Sequence, residues 1–552
     1  MFARFDYIVI GGGTSGCALA ATLSQSATVL VLERGGSPYD NPTATDIGNF
    51  ATTFSNTSPK SWSQLFVSED GVYNTRARVL GGGSVLNAGF YTRAGDDYVK
   101  EAEWMSDETA LKDGLLEAGE FPYNGFTYDH INGTKIGGTI FDDAGQRHTA
   151  ANLLEYSNPD TVAVYLHATV HKILFTTKGR PRPKAYGVIF QDANGVLHKA
   201  ELAKNAMNEV ILAAGAIGSP QLLLLSGVGP MAHLAAHGIK PVVLDHPMVG
   251  QGMGDNPMNA IFIPSPTPVE VSLIQVVGIT RFDSYIEGAS GKVAGPVSRG
   301  HLELRNINPN DNPSVRFNYY QEPEDLEKCV EGIATIIKVI NSKAFSKFKY
   351  PEATIHGLLD LILSVPTNLR PRHVTSVLNL KQFCIDTVMT IWHYHGGCQV
   401  GRVVDKNYKV LGIDGLRVID GSTFLKSPGT NPQATVMMLG RYMGFNSPSW
   451  RVGRALTREG GELEELPLAK VASWKSSNSP RWRVGLIYGS NSPSWRVGRA
   501  HGSDSPSWRV GRAPTHQGGE LVSFSGPTRH LGELVALLGL IRLFIEFVCM
   551  FR

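Results

Sequence analysis

Two histidines in the C-terminal third of the chain are the side chains best suited to proton transfer. His393 and His395 lie in the segment Ile391-Trp-His-Tyr-His-Gly-Gly-Cys398. An imidazole is the natural base for removing a hydroxyl proton near neutral pH. Paired histidines can also bind a metal, but no acid near them completes a ligand set, so we predict no metal site. The other alternative is a histidine that is simply hydrogen-bonded in the core.

Downstream of the histidines, two segments combine polar residues with tight turns. The first is Asp420-Gly421-Ser422, after the apolar run 416–419. The second is Asn431-Pro432-Gln433, which precedes an apolar helical run at 434–443. A helix that begins near Asn431 points its positive N-terminal end at whatever lies in front of it. We therefore expect this part of the chain to stabilise negative charge.

The start of the chain has the pattern of a dinucleotide-binding fold. An apolar strand at 6–10 runs into the turn Gly11-Gly-Gly-Thr-Ser-Gly16, and an apolar helix follows at 17–23. Glycine lets the backbone approach a pyrophosphate closely, and the helix N-terminus offers unpaired N–H groups to its charge. A second strand at 27–32 ends on Glu33, an acid suited to the ribose hydroxyls of an adenosine. The alternative is a glycine turn without a ligand.

The elements that must position these groups are spread along the chain. A third strand of the nucleotide-binding sheet is expected at 209–215, before an apolar helix at 221–225. Alternating runs at 162–174 and 186–190, with Asn194-Gly195 as a hairpin turn, predict further β-structure. Between 256 and 385, β-like runs surround a helical pattern at 324–340. This mixture predicts a second domain that covers the substrate.

Beyond Gly444 the composition changes abruptly. Ser447-Pro-Ser-Trp-Arg-Val-Gly-Arg-Ala455 recurs at 492–500 and 505–513 with irregular spacing, which argues against a stacked solenoid. The interleaved arginine and tryptophan leave nucleic-acid or membrane contact open, but we interpret 446–552 as a disordered or non-native extension. The apolar segment 531–551 contains three charged residues. Because each costs about 2.5–3.5 kcal/mol near mid-bilayer, we expect an amphipathic helix rather than a membrane span.

Charge and cysteine content narrow the remaining possibilities. Residues 1–445 carry 41 Asp/Glu against 37 Lys/Arg, which gives no reason to expect nucleic acid as a partner. The five cysteines form no CxxC pair, so the spacing typical of zinc sites is absent. The first strand begins close to Met1 with no signal peptide before it. As written, the chain is therefore expected to be cytoplasmic.

Four motifs together resemble those of the glucose–methanol–choline (GMC) oxidoreductases, most closely the plant HOTHEAD-like and mandelonitrile lyase-like branch. They are the glycine turn with Glu33, Ala77-Arg-Val-Leu-Gly-Gly-Gly-Ser-Val-Leu-Asn87, the segment 215–229 and the set around His393. The resemblance covers residues 5–444. It implies a flavoprotein of α/β and α+β class, with a Rossmann-type FAD-binding domain, an antiparallel-sheet substrate domain and the disordered tail.

The resemblance also implies an order of domains along the chain. FAD-binding segments are expected at 1–103, 160–255 and 386–445, with the catalytic residues in the last. A shortened lid segment is expected at 104–159, the substrate domain at 256–385 and the repetitive tail at 446–552. Blocks of the family are missing near 105–111 and near 291, and its relatives begin with a secretory leader. These departures indicate a truncated or mis-spliced gene product.

At the level of single residues, the resemblance implies a small-molecule alcohol as substrate. Its hydroxyl proton passes to His393 and its hydride to flavin N5, with Asn431 as the second member of the catalytic pair. The lyase relatives carry tyrosine and histidine where this chain has Ile391 and Asn431. That difference favours an alcohol dehydrogenase or oxidase over a mandelonitrile lyase. The substrates that the resemblance suggests are long-chain hydroxy fatty acids. An inactive family member is a further alternative.

The remaining implications concern the cofactor and a cysteine pair. Cys329 and Cys384 bracket the end of the substrate domain, and we expect a disulfide in an oxidising compartment and two buried thiols otherwise. The sequence indicates neither the electron acceptor nor the oligomeric state. FAD contacts are implied for Gly11, Gly13, Thr14, Ser15, Gly16, Glu33, Arg34, Val79, Gly83, Asn87, Ala88, Val170, Ala214, Gly215, Trp392, His393, Asp420, Gly421, Asn431, Pro432 and Gln433.

Overall fold

The computed structural model describes most of the chain up to residue 446. The described residues are 4–92, 109–205, 207–266, 274, 276–282, 284–287, 290–293, 296–446, 484–489 and 492–497. Residues 105–108 of the predicted gap near 105–111, most of the repetitive tail and the apolar segment 531–551 lie outside them. Within the described part, no helix has the length and apolar character needed to cross a membrane.

The described α-helices range from the four residues of Gly83–Leu86 to the eighteen of Pro323–Ile340. Short 3₁₀ helices occupy Pro38–Asp40, Pro42–Thr45, Ile47–Asn49, Ala150–Tyr156, Ser346–Phe348 and Gly421–Thr423. The described α-helices are α1 Thr14–Leu23, α2 Phe50–Ser55, α3 Gly83–Leu86, α4 Thr109–Glu117, α5 Gly215–Leu225, α6 Met231–Ala236, α7 Pro323–Ile340, α8 Ile355–Ser364, α9 Leu380–Thr387 and α10 Gln433–Phe445.

The strands are short and fall into seven sheets among the described residues. In chain order they are β1 Arg4–Phe5, β2 Tyr7–Ile10, β3 Val29–Leu32, β4 Ser63–Val67, β5 Tyr73–Ala77, β6 Phe90–Tyr91, β7 Tyr123–Phe126, β8 Gly133–Ile136, β9 Gly138–Thr139, β10 Val162–Tyr165, β11 Thr169–Thr176, β12 Lys184–Gln191, β13 Leu197–Leu202 and β14 Glu209–Leu212. The later strands are β15 Val228–Gly229, β16 Leu244–Asp245, β17 Gln251–Met253, β18 Pro257–Asn259, β19 Val276–Ile279, β20 Ser284–Glu287, β21 Ser290–Val293, β22 Gly300–Glu303, β23 Ser314–Arg316, β24 Met389–Thr390, β25 Leu416–Val418, β26 Val484–Gly489 and β27 Ser492–Val497.

A largely parallel sheet, in the order β25-β14-β2-β3-β10-β27-β26, contains the strands predicted for a nucleotide-binding domain. Strands β2, β3 and β14 are buried along their whole length, which explains their unbroken apolar runs, since both faces of a parallel sheet are covered. The three strands predicted for this sheet are confirmed. Strand β27 pairs antiparallel with β10. The described strands of the tail, β26 and β27, extend this sheet as a hairpin, and most of the tail that was expected to be disordered lies outside the described residues.

Helix α1 packs closely between the parallel sheet and α10. Glycines make this approach feasible. A Cβ on Gly440 would lie 2.3 Å from the Ser15 carbonyl oxygen, and one on Gly444 would lie 2.7 Å from the Thr22 Cβ. Gly-x-x-x-Gly in α10 therefore lets the two helix backbones meet beside the N-terminal turn.

A second large sheet, in the order β24-β18-β21-β20-β19-β8-β7, is antiparallel except for the β7–β8 pair. The expected class of mixed α/β and α+β structure is thereby confirmed. Strand β21 pairs with both β20 and β18, so the sheet is continuous across the predicted gap near 291. Helix α7 packs on this sheet and on α9. Cys329 of α7 and Cys384 of α9 form a disulfide with Cα atoms 6.3 Å apart.

Candidate active site

A cavity of about 620 Å³ is lined by residues of both large sheets and of the segments that follow β24 and β25. Every residue predicted to contact FAD lines this cavity except Gly16, and so do both predicted catalytic residues. His395 lines it as well. Segments separated by several hundred residues in sequence therefore meet around one space, which is large enough for an extended ligand.

The glycine turn forms one wall of the cavity. Gly11 has φ of 102°, and a Cβ there would lie 2.5 Å from the Ala213 carbonyl oxygen. Gly13 caps α1 without a side-chain hydrogen bond, and the first turn of α1 holds no acid. The N–H groups at the start of α1 are therefore available to an anion in the cavity.

Gly16 has a different role from the one predicted. A Cβ at this position would lie 2.0 Å from the Gly11 carbonyl oxygen. The absence of a side chain lets α1 pack against its own turn, on the side away from the cavity. The sequence motif indicated a cofactor contact because it does not distinguish glycines that face the ligand from glycines that pack behind it.

Glu33 lies at the cavity wall with both carboxylate oxygens already engaged. Oε2 accepts a hydrogen bond from the Gly12 N–H at 2.9 Å, and Oε1 accepts one from the Gly35 N–H at 2.8 Å. Burial raises the pKa of the Glu33 carboxyl, against the opposing effect of these N–H groups and of Arg34. A carboxylate can accept about four hydrogen bonds, so it retains capacity for two ribose hydroxyls. The geometry fits the adenosine part of FAD.

Next to Glu33, two arginines share one glutamine, an arrangement that the sequence did not reveal. Arg34 Nη1 donates to Gln64 Oε1 at 2.7 Å, and Arg76 Nε donates to the same oxygen at 3.2 Å. Arg76 Nη2 is buried and has no hydrogen-bond partner among the described residues. Burial, together with the charge of Arg34, lowers the pKa of Arg76 well below its usual value. This orphaned donor fits a ligand rich in acceptors, as FAD is.

Two consecutive residues directly before β18, Asp255 and Asn256, contact His393. Its backbone N–H donates to Asp255 Oδ1 at 2.8 Å, and its ring Nδ1 lies 3.0 Å from Asn256 Nδ2. The other oxygen of Asp255 accepts the hydroxyls of Tyr319 and Thr390, each at 2.6 Å. Burial raises the pKa of Asp255 to about 6. This pair was not identified from the sequence. The feature that could have indicated it is the polar segment Gly254-Asp-Asn-Pro257.

Neither histidine lies on a strand, because β24 ends at Thr390. The two side chains also have different environments. The Nδ1 of His395 lies 3.1 Å from the His393 carbonyl oxygen, so it must carry a proton and donate. Burial and the nearby Arg299 lower the pKa of His395 to about 4, which keeps this ring neutral near pH 7. In the described part of the chain, no group of three His, Cys, Asp or Glu side chains could hold a metal ion.

Asn431 lies on the cavity wall with an acid that the sequence did not single out. Its Nδ2 is 3.5 Å from Oε1 of the buried Glu287. On the same strand as Glu287, the ring of Tyr285 stacks on His130 at 5.7 Å. Glu287 was not recognisable because a single acid in a β-like run gives no sign of which face it occupies. Met258, Phe262, Met389 and Ile391 of the cavity wall pack together near the segment that carries His393, Phe54 packs edge-on against Trp392, and Ile274 and Phe424 also line the cavity.

Asp420 stabilises the junction between β25, α5 and the cavity. Its Oδ2 accepts hydrogen bonds from Ser219 Oγ at 2.5 Å and from the Gly215 N–H at 3.0 Å. Its Oδ1 accepts the Ser422 N–H at 2.8 Å. Burial raises the pKa of the Asp420 carboxyl. Its oxygens thus hold the start of α5 at the cavity, so its role toward a cofactor is in part to position backbone.

Comparisons with known proteins agree with the resemblance seen in the sequence. Two family models described as GMC oxidoreductase match residues 128–258 and 296–440. The protein HOTHEAD of Arabidopsis thaliana is 48% identical, over 82% of this chain and 89% of its own length. Sinalpyl alcohol oxidase Nec3 of Nesocodon mauritianus is 43% identical over 82% and 90%. The (R)-mandelonitrile lyase 1 of Prunus serotina is 40% identical over 80% and 86%.

Solved structures show the same fold at low sequence identity. Pyridoxine 4-oxidase matches with a TM-score of 0.67 and 19% identity, over 80% of this chain and 98% of that one. A fungal aryl-alcohol oxidase matches with a TM-score of 0.62 and 16% identity, over 80% and 98%.

Proposed function

The chain belongs to the GMC oxidoreductase family, and we propose that it is an FAD-dependent oxidoreductase that oxidises a small-molecule alcohol at its CH–OH group. One observation carries the proposal. His393 and Asn431 line the same cavity as the glycine turn, Glu33 and the start of α1. A proton acceptor and a dinucleotide site that share one space are what oxidation of an alcohol by a flavin requires.

In the proposed reaction, His393 removes the proton from the substrate hydroxyl while the carbinol carbon loses a hydride. FAD, when bound, supplies the two-electron acceptor for that hydride. The O–H and C–H bonds break, a C=O bond forms, and the proton stays on the imidazole. Nε2 is the ring nitrogen that acts, because Nδ1 contacts Asn256. Asn431 assists as a hydrogen-bonding group that orients the substrate oxygen.

The substrate end of the cavity supports an apolar alcohol. Aromatic, methionine and isoleucine side chains dominate its wall, and Glu287 is the acid placed beside Asn431. Such a lining buries a hydrocarbon chain or an aromatic ring favourably. We propose long-chain hydroxy fatty acids or aromatic alcohols as substrates, the latter in keeping with the sinalpyl alcohol oxidase among the relatives.

A second candidate is mandelonitrile lyase activity, in which FAD is bound but is not reduced. The 40% identity to a Prunus serotina lyase favours it. Ile391 and Asn431 count against it, because they stand where the lyases are expected to carry tyrosine and histidine. The disulfide between Cys329 and Cys384 supports work in an oxidising compartment rather than in the cytoplasm.

The experiment is anaerobic mixing of the purified, flavin-loaded protein with a panel of alcohols. We expect a bound flavin whose oxidised absorption band is bleached by an apolar alcohol. The His393→Ala variant should bind FAD equally and lose about 10²–10⁴-fold in the rate of bleaching. His356→Ala, at an exposed helix position outside the cavity, is the matched control and should keep the rate. A flavin that no alcohol reduces, with cyanide released from mandelonitrile, would establish the lyase instead.

A further inference from the structure

We infer that Asn256 is a positioning residue that sets which ring nitrogen of His393 carries the proton. The inference rests on the proposed function, because it concerns His393 as a base. Asn256 is fully buried, and its side-chain amide lies 3.0 Å from His393 Nδ1. Asp255 meanwhile holds the backbone N–H of His393 at 2.8 Å. Two adjacent residues therefore fix the histidine, one through its backbone and one through its ring.

The amide matters because a neutral imidazole has one N–H group and one lone pair. Nε2 can take a proton from a substrate only when it holds the lone pair, and the ring proton must then be on Nδ1. That tautomer needs a hydrogen-bond acceptor opposite Nδ1. Asn256 offers an acceptor, Oδ1, and a donor, Nδ2, at the same end of its side chain. The orientation of this one amide thus determines whether Nε2 of His393 accepts or donates.

Both orientations of the amide are open to the protein. With Nδ2 toward the ring, Nδ1 is an acceptor and Nε2 carries the proton. In that orientation the Oδ1 of Asn256 is buried without a hydrogen-bond partner among the described residues. Rotation of the amide brings this oxygen to Nδ1–H and leaves the lone pair on Nε2. Because Oδ1 has no hydrogen-bond partner among the described residues, the oxygen loses no hydrogen bond when it moves. It also provides the acceptor that the Nδ1–H of a protonated ring needs, which stabilises the charge produced in the reaction.

Two neighbouring ionisable groups contact the backbone of His393. Asp255 accepts its N–H, and His395 donates to its carbonyl oxygen. The pKa of His395 is lowered to about 4 by burial, and burial raises the pKa of the neighbouring tyrosine hydroxyls, so these groups stay uncharged near pH 7. The titratable groups on the segments around His393 include Asp255, Glu287, Arg299, Tyr319, Tyr394 and His395.

Two substitutions at Asn256 separate the tautomer effect from simple packing. Asn256→Leu keeps the size and removes both polar atoms. Asn256→Asp keeps an acceptor and removes the donor, which enforces the Nδ1–H tautomer. The rate of anaerobic flavin reduction is measured against pH, with FAD content and thermal midpoint recorded for each protein. Asn74→Leu makes the same exchange at a buried asparagine that does not line the cavity and serves as the matched control.

We expect Asn256→Leu to bind FAD and to lose about 100-fold or more in rate. Asn256→Asp should retain most of the rate, with the acid limb of its pH profile moved to higher pH, because a carboxylate stabilises the protonated ring. Asn74→Leu should keep the wild-type profile. A wild-type rate and profile in Asn256→Leu, with His393→Ala inactive, would overturn the inference alone. If the leucine variant does not fold, an unshifted profile in Asn256→Asp overturns it. A wild-type protein that no alcohol reduces overturns the proposed function as well.

Discussion

Single residues at the site connect protein stability to pH, and Asp255 is the clearest case. Burial raises its pKa to about 6, above the value of about 3.9 expected in the unfolded chain. The folded state therefore holds the proton more tightly, and stability falls as the pH rises from about 4 to about 6. The shift of about two pKa units corresponds to at most about 3 kcal/mol. We predict that Asp255→Asn removes this fall from the pH dependence of the free energy of unfolding.

Asp386 provides a control of opposite sign. Hydrogen bonds from Ser376, the His373 N–H and Gln382 outweigh burial and lower the pKa of this carboxyl. Its contribution to stability is present above the unfolded pKa and is lost as the pH falls through the folded one. Urea denaturation from about pH 2 to pH 7 should therefore show a fall in stability between about pH 4 and pH 6 that disappears in Asp255→Asn, and a loss of stability below about pH 4 that is reduced in Asp386→Asn. Changes of the same sign in both variants would contradict the prediction.

The sequence indicated that His393 could transfer a proton, but it did not indicate which residues contact this histidine. An imidazole in a polar, glycine-rich segment suggests proton transfer wherever it lies. Asp255 and Asn256 are respectively 138 and 137 residues from His393 in sequence, and no local pattern connects them. The contacts depend on the pairing of β18 with β24 within one sheet, which periodicity does not report.

At the scale of elements, the turn between β2 and α1 separates two uses of glycine. A Cβ on Gly16 would lie 2.0 Å from a backbone oxygen, whereas one on Gly13 would meet nothing closer than 3.8 Å. We predict that Gly16→Ala lowers the stability of the FAD-free protein by about 1–3 kcal/mol through overpacking. Gly13→Ala should cost about 1 kcal/mol or less, since only the N-cap changes, and should weaken FAD binding because Gly13 lines the cavity.

Thermal denaturation of the FAD-free proteins and titration with FAD, followed by flavin fluorescence, measure the two effects separately. Gly13→Ala serves as the control for Gly16→Ala, since both add one methyl group to the same turn. Equal loss of stability in the two variants would contradict the assignment of Gly16 to packing. Unchanged FAD affinity in Gly13→Ala would contradict the placement of FAD at this turn.

Local signals were sufficient for the elements with a strong apolar pattern. Strands β2, β3 and β14 and helix α7 follow from unbroken apolar runs or from helical periodicity. Helix α5 begins at Gly215, six residues before the predicted start. Pro220 lies within this helix, although proline usually disrupts helix interiors. The pairing of β21 with β18 could not be predicted, because a strand of four residues carries no register signal.

At the scale of the whole molecule, the site lies where the chain passes from one sheet to the other. Strand β24 is an edge of the antiparallel sheet and β25 is an edge of the parallel sheet. His393 follows the first of these strands and Asp420 follows the second. The candidate base thus follows a strand of the antiparallel sheet, and the candidate cofactor contact Asp420 follows a strand of the parallel sheet. A change in the packing of α9 or β24 should therefore alter the position of His393.

The disulfide between α7 and α9 provides a test of that coupling. It closes a separation of 55 residues, for which chain entropy gives a stabilisation of about 4 kcal/mol. Since α9 directly precedes β24, we predict that the double variant Cys329→Ala, Cys384→Ala has a lower thermal midpoint and a slower rate of flavin reduction. A reducing agent should lower the midpoint of the wild type and leave that of the double variant unchanged.

The buried thiols of Cys17 and Cys398 allow a matched control, because neither takes part in the disulfide. Cys398→Ala removes a buried sulfur without opening a cross-link, and reducing agent should still lower its midpoint. Loss of midpoint with an unchanged rate in the double variant would show that the disulfide stabilises the fold without positioning His393. An equal response to reducing agent in all three proteins would mean that the cross-link contributes nothing, since only two of them can form it.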